Sequence, residues 1–511
     1  MARRDAGALP ESGVASRPKA KLFLAFCSLL LAGGFAAWQL SSWPVRLRYP
    51  GEQNLVEGMR LVEMLHLRGG VPIYAPASAE RFDAAIYGPL YYLLGARLVN
   101  PERPAYFPLR LISMLGILGC AAGCALLAYW ISGRRLAAAL APLIFLSYGV
   151  VTLHGLSARS DMVALCIFFA GFLGAFRLRN SAAVLLAVPL MLAGFFYKQQ
   201  FVAGPLAVLV YLLLEKRYRH ARWFAGTLAA GGLASLGLFE WVIFPGQAFL
   251  AHFFLYNLVP FAWATFEIGI IFLGLILLVP TLMGLEYLRH HHDRLLSCYL
   301  GFALLLGTLG MAKEGSDAHY FLECVLILSV LCAALVAERI PQHSDAGALV
   351  VLLGVMIFLG QWFEPPAASA ADFSSDQAIQ EFLRRNSKPR SPALGYYAGD
   401  LFRAGLEVPI SDIYQYSQLV RQGRLSEDEL LHRIRQGRFR VIIVTFDIGS
   451  EKGEDWTNNY LTIPQRRAIV ANYRLAITMD LPGPESFGPD SRFYAWVPRS
   501  EPETPERASD R

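Results

Sequence analysis

Charged residues are almost absent from long stretches of the chain between Lys21 and Phe363, and they return only in short breaks. Charged residues make up 17% of the 511 residues and hydrophobic residues 55%, whereas soluble domains carry about 25% charged residues. A bilayer core of about 30 Å requires about 20 apolar residues of helix, so these runs predict an α-helical polytopic membrane protein with about eleven transmembrane helices. The predicted spans are residues 21–40, 106–132, 136–154, 162–176, 181–197, 200–214, 223–244, 267–286, 295–312, 318–337 and 347–363.

The breaks between these runs are of two kinds, which alternate along the chain. One kind is basic, and in the eleven-span arrangement all the basic breaks lie on the same side as the basic N-terminal tail, residues 1–20. They are Arg134–Arg135, Arg177 with Arg179, Lys216–Arg222, Arg289–Arg294 and Arg339. Because cytoplasmic loops are enriched in lysine and arginine, this pattern predicts a multi-pass plasma-membrane (inner-membrane) protein with a cytoplasmic N-terminus. Residues 41–105 and 364–511 are then extracytoplasmic.

The first outer loop, residues 41–105, is long enough to contain helices of its own. Apolar residues recur at helical spacing within residues 52–67, which predicts a helix lying in the membrane interface, with Glu57 and Glu63 on its wet face. A second helix is predicted to begin near Pro89, because proline suits a first helical turn.

Residues 364–500 have the composition of a soluble α/β domain rather than of a membrane segment, and residues 501–511 are predicted to be a disordered tail. The predicted strands are residues 393–397, 440–446 and 492–498, and the predicted helices are residues 414–437 and 464–474. This domain contains no glycine-rich phosphate loop, so the sequence does not indicate a nucleotide site there. Residues 21–363 would form the catalytic transmembrane domain.

Several other kinds of site are not supported by the sequence. All seven cysteines lie in apolar runs without metal-ligand spacing, which favours small buried side chains over disulfides or zinc. The run His290–Asp293 has metal-binding residue types, but it lies in a basic break, so we interpret it as a solvated turn. Much of the formal charge of +6 lies in the short breaks and the N-terminal tail, where it is explained by membrane orientation. No nucleic-acid partner is therefore expected.

The second kind of break carries acids, bases and amides, and all of these breaks lie on the predicted outer side. They are Tyr49–Asn54, Ser157–Met162, Phe196–Gln200, His252 with Tyr256–Trp263, and Lys313–Glu323. Polar groups are tolerated at helix ends, whereas a charge at the bilayer centre costs about 2.5–3.5 kcal/mol or more. Five separate segments at one level of the membrane can form a single site at the interface.

Each of these residues also has a purely structural interpretation. Glu52 could be a solvated loop acid, and Arg159 with Asp161 could be an ordinary interfacial ion pair. Lys198 could extend to the lipid headgroups, as lysines near helix ends commonly do. His319 and Glu323 are one helical turn apart and could simply bond each other.

Taken in order, the polar segments resemble motifs of the polytopic glycosyltransferases of the C superfamily (GT-C), in the bacterial branch related to protein mannosyltransferases and lipid A aminoarabinose transferases. The matching segments are Tyr49–Glu52, Gly70–Tyr74, Tyr87–Tyr91, Arg110–Ser113, Arg159–Met162, Lys198–Gln199, His252 with Asn257 and Pro260–Trp263, Lys313–Ser316 and Tyr320–Glu323. The resemblance extends from the first predicted span through the tenth. A soluble C-terminal tail is familiar in the same branch.

The resemblance implies transfer of a hexose or pentose from a polyprenyl-phosphate donor to a lipid, glycan or protein acceptor in cell-envelope glycan biosynthesis. Inverting displacement requires one carboxylate as general base, for which Glu52 is the candidate, and cations that stabilise the departing phosphate. The candidates for binding donor phosphate and sugar are Arg159, Asp161, Lys198, Gln199, Lys313, His319, Tyr320 and Glu323, with Asp161 orienting Arg159. Tyr87, Asn257 and Trp263 are candidates for the acceptor side of the pocket.

The chain departs from the family pattern at three positions. Tyr49 stands where a first acid is common, His319 replaces the usual asparagine, and Asp317 occupies a position that is often asparagine. Hard divalent cations need several oxygen ligands, so the loss of the first acid leaves a metal site possible but unsupported, and no cofactor is expected.

Three alternatives stay open at this point. A secondary transporter would fit the many apolar runs, although transporters tend to show inverted repeats and polar groups near the midplane, neither of which is evident in the sequence. A noncatalytic membrane scaffold would have no need of acids and bases on five breaks. Within the enzymes, a glycan ligase or polymerase that uses a diphosphate carrier is the remaining alternative.

Overall fold

The computed structural model describes residues 18–340, 346–363, 369–449, 460–480 and 492–499. The helices of the membrane part are α1 Pro18–Arg48, α2 Leu55–Arg68, α3 Pro89–Leu98, α4 Phe107–Ser132, α5 Arg135–Ser147, α6 Gly149–Gly155, α7 Asp161–Leu178, α8 Val188–Tyr197, α9 Ala203–Leu214, α10 Tyr218–Gly237, α11 Phe249–Phe253, α12 Trp263–Phe272, α13 Leu278–His291, α14 Arg294–Gly310, α15 Leu322–Arg339 and α16 Ala346–Leu359. Short 3₁₀ or π segments precede α8 and α15 and continue α10, α12 and α16.

Every apolar run predicted to span the membrane forms helix, which confirms the predicted class of a polytopic α-helical membrane protein with a small C-terminal sheet. Among the described residues, six helices are long and apolar enough to cross a bilayer, or seven if α5 and α6, which meet at 66°, form one broken span. The runs at 182–197, 203–214, 294–310 and 346–359 form shorter apolar helices. The number of eleven spans therefore stays a prediction.

The basic breaks meet one another at one end of the helix bundle, which we call the basic end. There Arg179 pairs with Asp293 at 2.8 Å, and Arg339 pairs with Glu286 at 2.9 Å. The polar breaks gather at the opposite end, which we call the cavity end, where the C-terminal segment packs. The alternation of the two kinds of break in the sequence thus corresponds to two chemically different ends of one bundle.

Helix α2 differs from its prediction, because it is buried on both faces rather than lying half-wet at the membrane interface. Leu61 and Met64 belong to the core of the membrane helices, while Met59 and Val62 belong to the core of the C-terminal segment. A helix that is apolar around most of its circumference is typical of a buried position. Helix α2 therefore joins the two hydrophobic cores.

The C-terminal segment folds as an α/β unit with helices α17 Ala370–Asn386, α18 Ala398–Arg403, α19 Ile413–Arg421, α20 Asp428–Arg435 and α21 Ile463–Asn472. Its strands are β1 Ala393–Gly395, β2 Val441–Val444, β3 Tyr473–Asp480 and β4 Arg492–Pro498, in the sheet order β1-β2-β4-β3. Strands β1 and β2 are parallel, and β4 is antiparallel to both β2 and β3.

Two details of this unit differ from the sequence prediction. The predicted helix 414–437 is split into α19 and α20 because Gly423 adopts a positive φ of 68° and ends the first helix. Strand β3 was not predicted, although it begins directly after α21. The predicted tail 501–511 lies outside the described residues.

Candidate functional site

A cavity of about 960 Å³ lies at the cavity end, between the membrane helices and the C-terminal α/β unit. One part of its wall carries the cationic side chains of Arg159, Lys198 and Lys313. Another part is apolar and includes Ile268 and Leu309, whose surfaces are 50% and 54% exposed. The cavity therefore combines a cationic pocket with an apolar side that reaches the outer surface of the bundle.

Asp161, the first residue of α7, holds two cations at the cavity wall. Nε of Arg159 donates to its Oδ2 at 3.1 Å, and Nζ of Lys198 donates to its Oδ1 at 2.5 Å. Arg159 also lies 3.2 Å from Nδ1 of His319, which accepts because a guanidinium can only donate. All of these side chains are buried. Two cations against one carboxylate leave a net positive charge, which suits the binding of an anion.

The backbone explains why these side chains converge. Helix α6 turns by 66° from α5 and ends at Gly155, and the following turn presents Arg159 just before α7 begins. Lys198 directly follows the last residue of α8. A β-carbon on Gly88 would lie 2.0 Å from the carbonyl oxygen of Phe196, so only glycine permits this close approach of the first loop to the chain before Lys198. Burial lowers the pKa of Lys198, although the carboxylate of Asp161 opposes this shift.

The structure places several further predicted residues in the wall of the cavity. They are Tyr87, Gln199, Asn257, Lys313, His319, Tyr320 and Glu323. Gln199 and Asn257 both donate to the carbonyl oxygen of Ile86, at 3.0 and 2.8 Å, and so hold the chain next to Tyr87. The ring of Tyr87 in turn lies 5.0 Å from the ammonium of Lys198. Burial lowers the pKa of Lys313.

Two predicted site residues lie elsewhere, which corrects their assignment. Glu52 is buried behind the wall, and its Oε1 accepts hydrogen bonds from the backbone N–H groups of Gly399 at 2.9 Å and Asp400 at 3.1 Å. It is not among the residues that line the cavity, because the C-terminal unit covers it. Trp263 is 68% exposed and packs edge-on against Phe261, outside the lining.

The prediction that Glu57 and Glu63 face water is wrong, because both are fully buried in ion pairs. Arg110 lies 2.6 Å from Glu57, and Arg60 lies 2.6 Å from Glu63. Arg60 also reaches Asp412 of the C-terminal unit at 3.1 Å. The apolar residues on both faces of α2 were the available signal, since they indicate that no face of this helix meets solvent.

The C-terminal unit supplies one wall of the cavity, which the sequence did not indicate. Tyr397, Asp412, Tyr414 and Tyr460 all line it, opposite the membrane helices. Tyr397 adopts a left-handed conformation with φ of 60°, which is uncommon for a residue other than glycine. The hydroxyl of Tyr414 is buried without a hydrogen-bond partner among the described residues.

One group of side chains at the cavity wall has the composition of a metal site. The ligand atoms of His154, Asp317 and His319 lie within 4.8 Å of one another. The run His290–Asp293 is instead a turn at the basic end, as interpreted from the sequence, where His291 pairs with Glu338 at 2.8 Å.

Comparisons with known proteins identify similar folds but no close relative. No protein-family model matches the chain, and no curated protein matches it in sequence. The crystal structure of ArnT from Cupriavidus metallidurans in the apo state superimposes with a TM-score of 0.55 at 12% identity, covering 91% of this chain and 97% of that one. The structure of the same protein bound to undecaprenyl phosphate gives a TM-score of 0.54 at 12% identity, covering 92% and 98%.

The likeness extends over nearly the whole of both chains, including the C-terminal unit, so it concerns the complete architecture and not a shared helix bundle alone. At 12% identity it establishes the fold. The chain therefore has the ArnT-like polytopic membrane fold.

Proposed function

We propose that this protein is a membrane glycosyltransferase that moves a sugar from a polyprenyl-phosphate donor to an acceptor at the outer face of the inner membrane. The observation that carries the proposal is the pairing of Arg159 and Lys198 on Asp161 at the wall of a cavity whose apolar side reaches the outer surface of the helix bundle. A lipid phosphate needs both features at once, because its headgroup is anionic and its chain is apolar. The structural neighbour bound to undecaprenyl phosphate supports the same class of donor.

In the proposed reaction the acceptor hydroxyl attacks the anomeric carbon while the bond to the phosphate oxygen breaks. Arg159 and Lys198, with Lys313 beside them, stabilise the negative charge that develops on the leaving phosphate. Asp161 keeps the first two cations in place and does not contact the substrate. A single displacement of this kind inverts the anomeric configuration.

The proton of the acceptor hydroxyl must pass to a carboxylate that faces the cavity. Glu52 is not proposed for this step, because it lies behind the wall and its Oε1 is already bound by two backbone N–H groups. The carboxylates that line the cavity are Glu314, Asp317, Glu323 and Asp412. Glu314 and Asp412 are each paired with an arginine, at 3.4 and 3.1 Å respectively.

The orientation of the basic end toward the cytoplasm is part of the proposal and rests on the excess of lysine and arginine there. It places the C-terminal unit outside the cell, where polyprenyl-linked sugars rather than nucleotide sugars are the available donors. Protection of the C-terminal unit from an external protease in intact spheroplasts would contradict this orientation.

The proposed activity can be tested with purified protein in nanodiscs, envelope membranes as the source of acceptors, and a panel of labelled polyprenyl-phosphate and polyprenyl-diphosphate sugars. We expect label to enter a product from at least one monophosphate donor, and a Lys198→Ala variant to transfer far less. Transfer only from a diphosphate donor would favour a ligase or polymerase. Failure of folded protein to consume any donor would contradict the proposal.

A further inference from the structure

We propose that His154, Asp317 and His319 bind one divalent transition-metal cation in the wall of the cavity, beside Arg159 and Lys198. The three residues come from helix α6 and from the loop that follows α14, so the fold and not the local sequence brings them together. This inference goes beyond the proposed transfer reaction and does not depend on it.

The spacing of the three side chains suits a shared ion. Their ligand atoms all lie within 4.8 Å of one another, and Nε2 of His154 lies 3.5 Å from Oδ2 of Asp317. Bonds of about 2.0–2.2 Å from a metal to nitrogen and oxygen place neighbouring ligand atoms about 3 to 3.5 Å apart. The His154–Asp317 pair already has this separation. Nδ1 of His319 accepts from Arg159 at 3.2 Å, so His319 binds the ion through Nδ1 only by giving up that hydrogen bond.

His154 provides a second, independent indication of a ligand. Its side chain is fully buried, and neither ring nitrogen makes a hydrogen bond to any of the described residues. Buried polar atoms almost always have partners, because an unsatisfied donor or acceptor costs about 1–3 kcal/mol. A cation next to Asp317 would satisfy the nitrogen that faces it.

The chemistry of the three ligands indicates the class of cation. Two imidazole nitrogens and one carboxylate oxygen favour a borderline cation such as Zn²⁺ over Mg²⁺, Ca²⁺ and Mn²⁺, which prefer oxygen ligands. Asp317 and His319 line the cavity, so the remaining coordination positions face the space where an anion would bind. The ion would therefore be reachable from the cavity.

The nearby cations do not exclude a further positive charge. Asp161 offsets one of the two charges of Arg159 and Lys198, and Asp317 brings a second carboxylate directly to the ion. Asp161 also lies 4.0 Å from Nε2 of His319.

The test is a measurement of bound metal on full-length protein purified without a polyhistidine tag. Because His290, His291 and His292 could bind metal at the basic end, the parent protein carries alanine at all three positions. It is stripped with a chelator, dialysed separately against Zn²⁺, Mn²⁺ or Mg²⁺, and analysed by mass spectrometry for metal content. We expect on the order of one equivalent of Zn²⁺ and little Mn²⁺ or Mg²⁺.

Two variants of the site and one matched control locate the bound ion. His154→Ala and the conservative Asp317→Asn should each reduce bound metal at least about tenfold. His66→Ala is the control, since His66 forms a similar pair with Asp83 at 2.9 Å but has no third ligand. It should retain the full amount. Elution volume and unfolding temperature show that each variant is folded.

The proposal is overturned if the folded parent takes up none of the three metals, or if Asp317→Asn and His154→Ala retain the metal that the parent binds. No sugar donor is present in this measurement. Its failure would therefore leave the proposed transfer reaction untouched, and a protein without transferase activity could still bind the ion.

Discussion

The ammonium of Lys198 and Oδ1 of Asp161 lie 2.5 Å apart in a fully buried pair at the end of a membrane helix bundle. The same carboxylate also binds Arg159, at 3.1 Å. One acid thus fixes two cations against the cavity, although burial of three charges is costly unless each is paired and hydrogen-bonded. The excess positive charge is explained if the site binds an anionic ligand.

The first prediction concerns that positive charge. Replacing Lys198 with alanine removes one stabilising cation from the leaving phosphate, and we expect the rate of sugar transfer to fall by about 100-fold or more. The measurement is the initial rate of label transfer in nanodiscs. Arg219→Ala is the matched control, because Arg219 is an exposed cation near the basic end and should be silent. Equal rates for the two variants would remove Lys198 from the mechanism.

A second prediction concerns Gly88, which has no room for a side chain. A methyl group there would meet the carbonyl oxygen of Phe196 at 2.0 Å, so Gly88→Ala must displace the backbone that leads to Lys198. We expect at least about a tenfold loss of transfer rate, since small displacements of catalytic groups have effects of this size. Gly226→Ala, with nothing within 4 Å of the added carbon, should behave as the wild type in the same assay.

Asp412 provides a third prediction, on the attachment of the C-terminal unit. Asp412→Asn removes the carboxylate through which Arg60 of α2 pairs with the C-terminal unit, while Arg60 keeps its pair with Glu63. We therefore expect a modest loss in stability of about 1 kcal/mol, the usual net value of one hydrogen-bonded contact. Limited proteolysis and the unfolding temperature in detergent both report this change. Glu407→Gln alters an exposed acid of the same unit and should change neither. A normal unfolding temperature for Asp412→Asn would show that the pair adds nothing to attachment.

The fourth prediction is a pH dependence centred on Glu52 and Asp400. Burial raises the pKa of Asp400 to about 6, and burial together with the charge of Asp400 raises the pKa of Glu52 well above its usual range. The folded protein therefore binds these protons more tightly than the unfolded chain, whose carboxyl groups titrate near pH 4. The stability that these two carboxyl groups contribute is therefore fully present below about pH 4, and this contribution is lost as the pH rises through 6.

Glu52→Gln removes one of these acids while preserving its shape. Its unfolding temperature should fall less steeply between pH 5 and pH 8 than that of the wild type. The corresponding difference in the free energy of unfolding is about 1.4 kcal/mol for each unit by which folding raises the pKa of Glu52. The variant should also keep a near-normal rate of sugar transfer. A large loss of transfer in folded Glu52→Gln protein would restore Glu52 as the candidate base.

The helix positions were predictable because bilayer thickness imposes a strong length requirement on apolar runs. The run 106–132, for example, corresponds to α4, Phe107–Ser132. The cations of the site were also predictable, since Arg159 and Lys198 interrupt apolar sequence at the same end of the bundle. Charged residues that interrupt apolar membrane sequence are costly, so their presence favours a functional role.

The contribution of the C-terminal unit could not be predicted. Asp412 and Tyr414 lie about 350 residues from Arg60 along the chain, and hydrophobic periodicity says nothing about which surfaces of two domains meet. The position of Glu52 outside the cavity lining could not be predicted for the same reason. Its position in the sequence, after an apolar run, is correct for a site residue, but the packing of Gly399 and Asp400 above it decides that it is sealed off.

The wall formed by Tyr397, Asp412 and Tyr414 has a consequence for biosynthesis. Ribosomes make this part of the chain after every predicted membrane helix has been synthesised. A nascent chain that ends near residue 363 already contains Arg159, Lys198 and Asp161, yet its cavity has no roof. The proposed transfer then requires the segment after residue 363 to fold back onto the bundle, so a truncation within that segment should abolish transfer even though every predicted membrane helix is present.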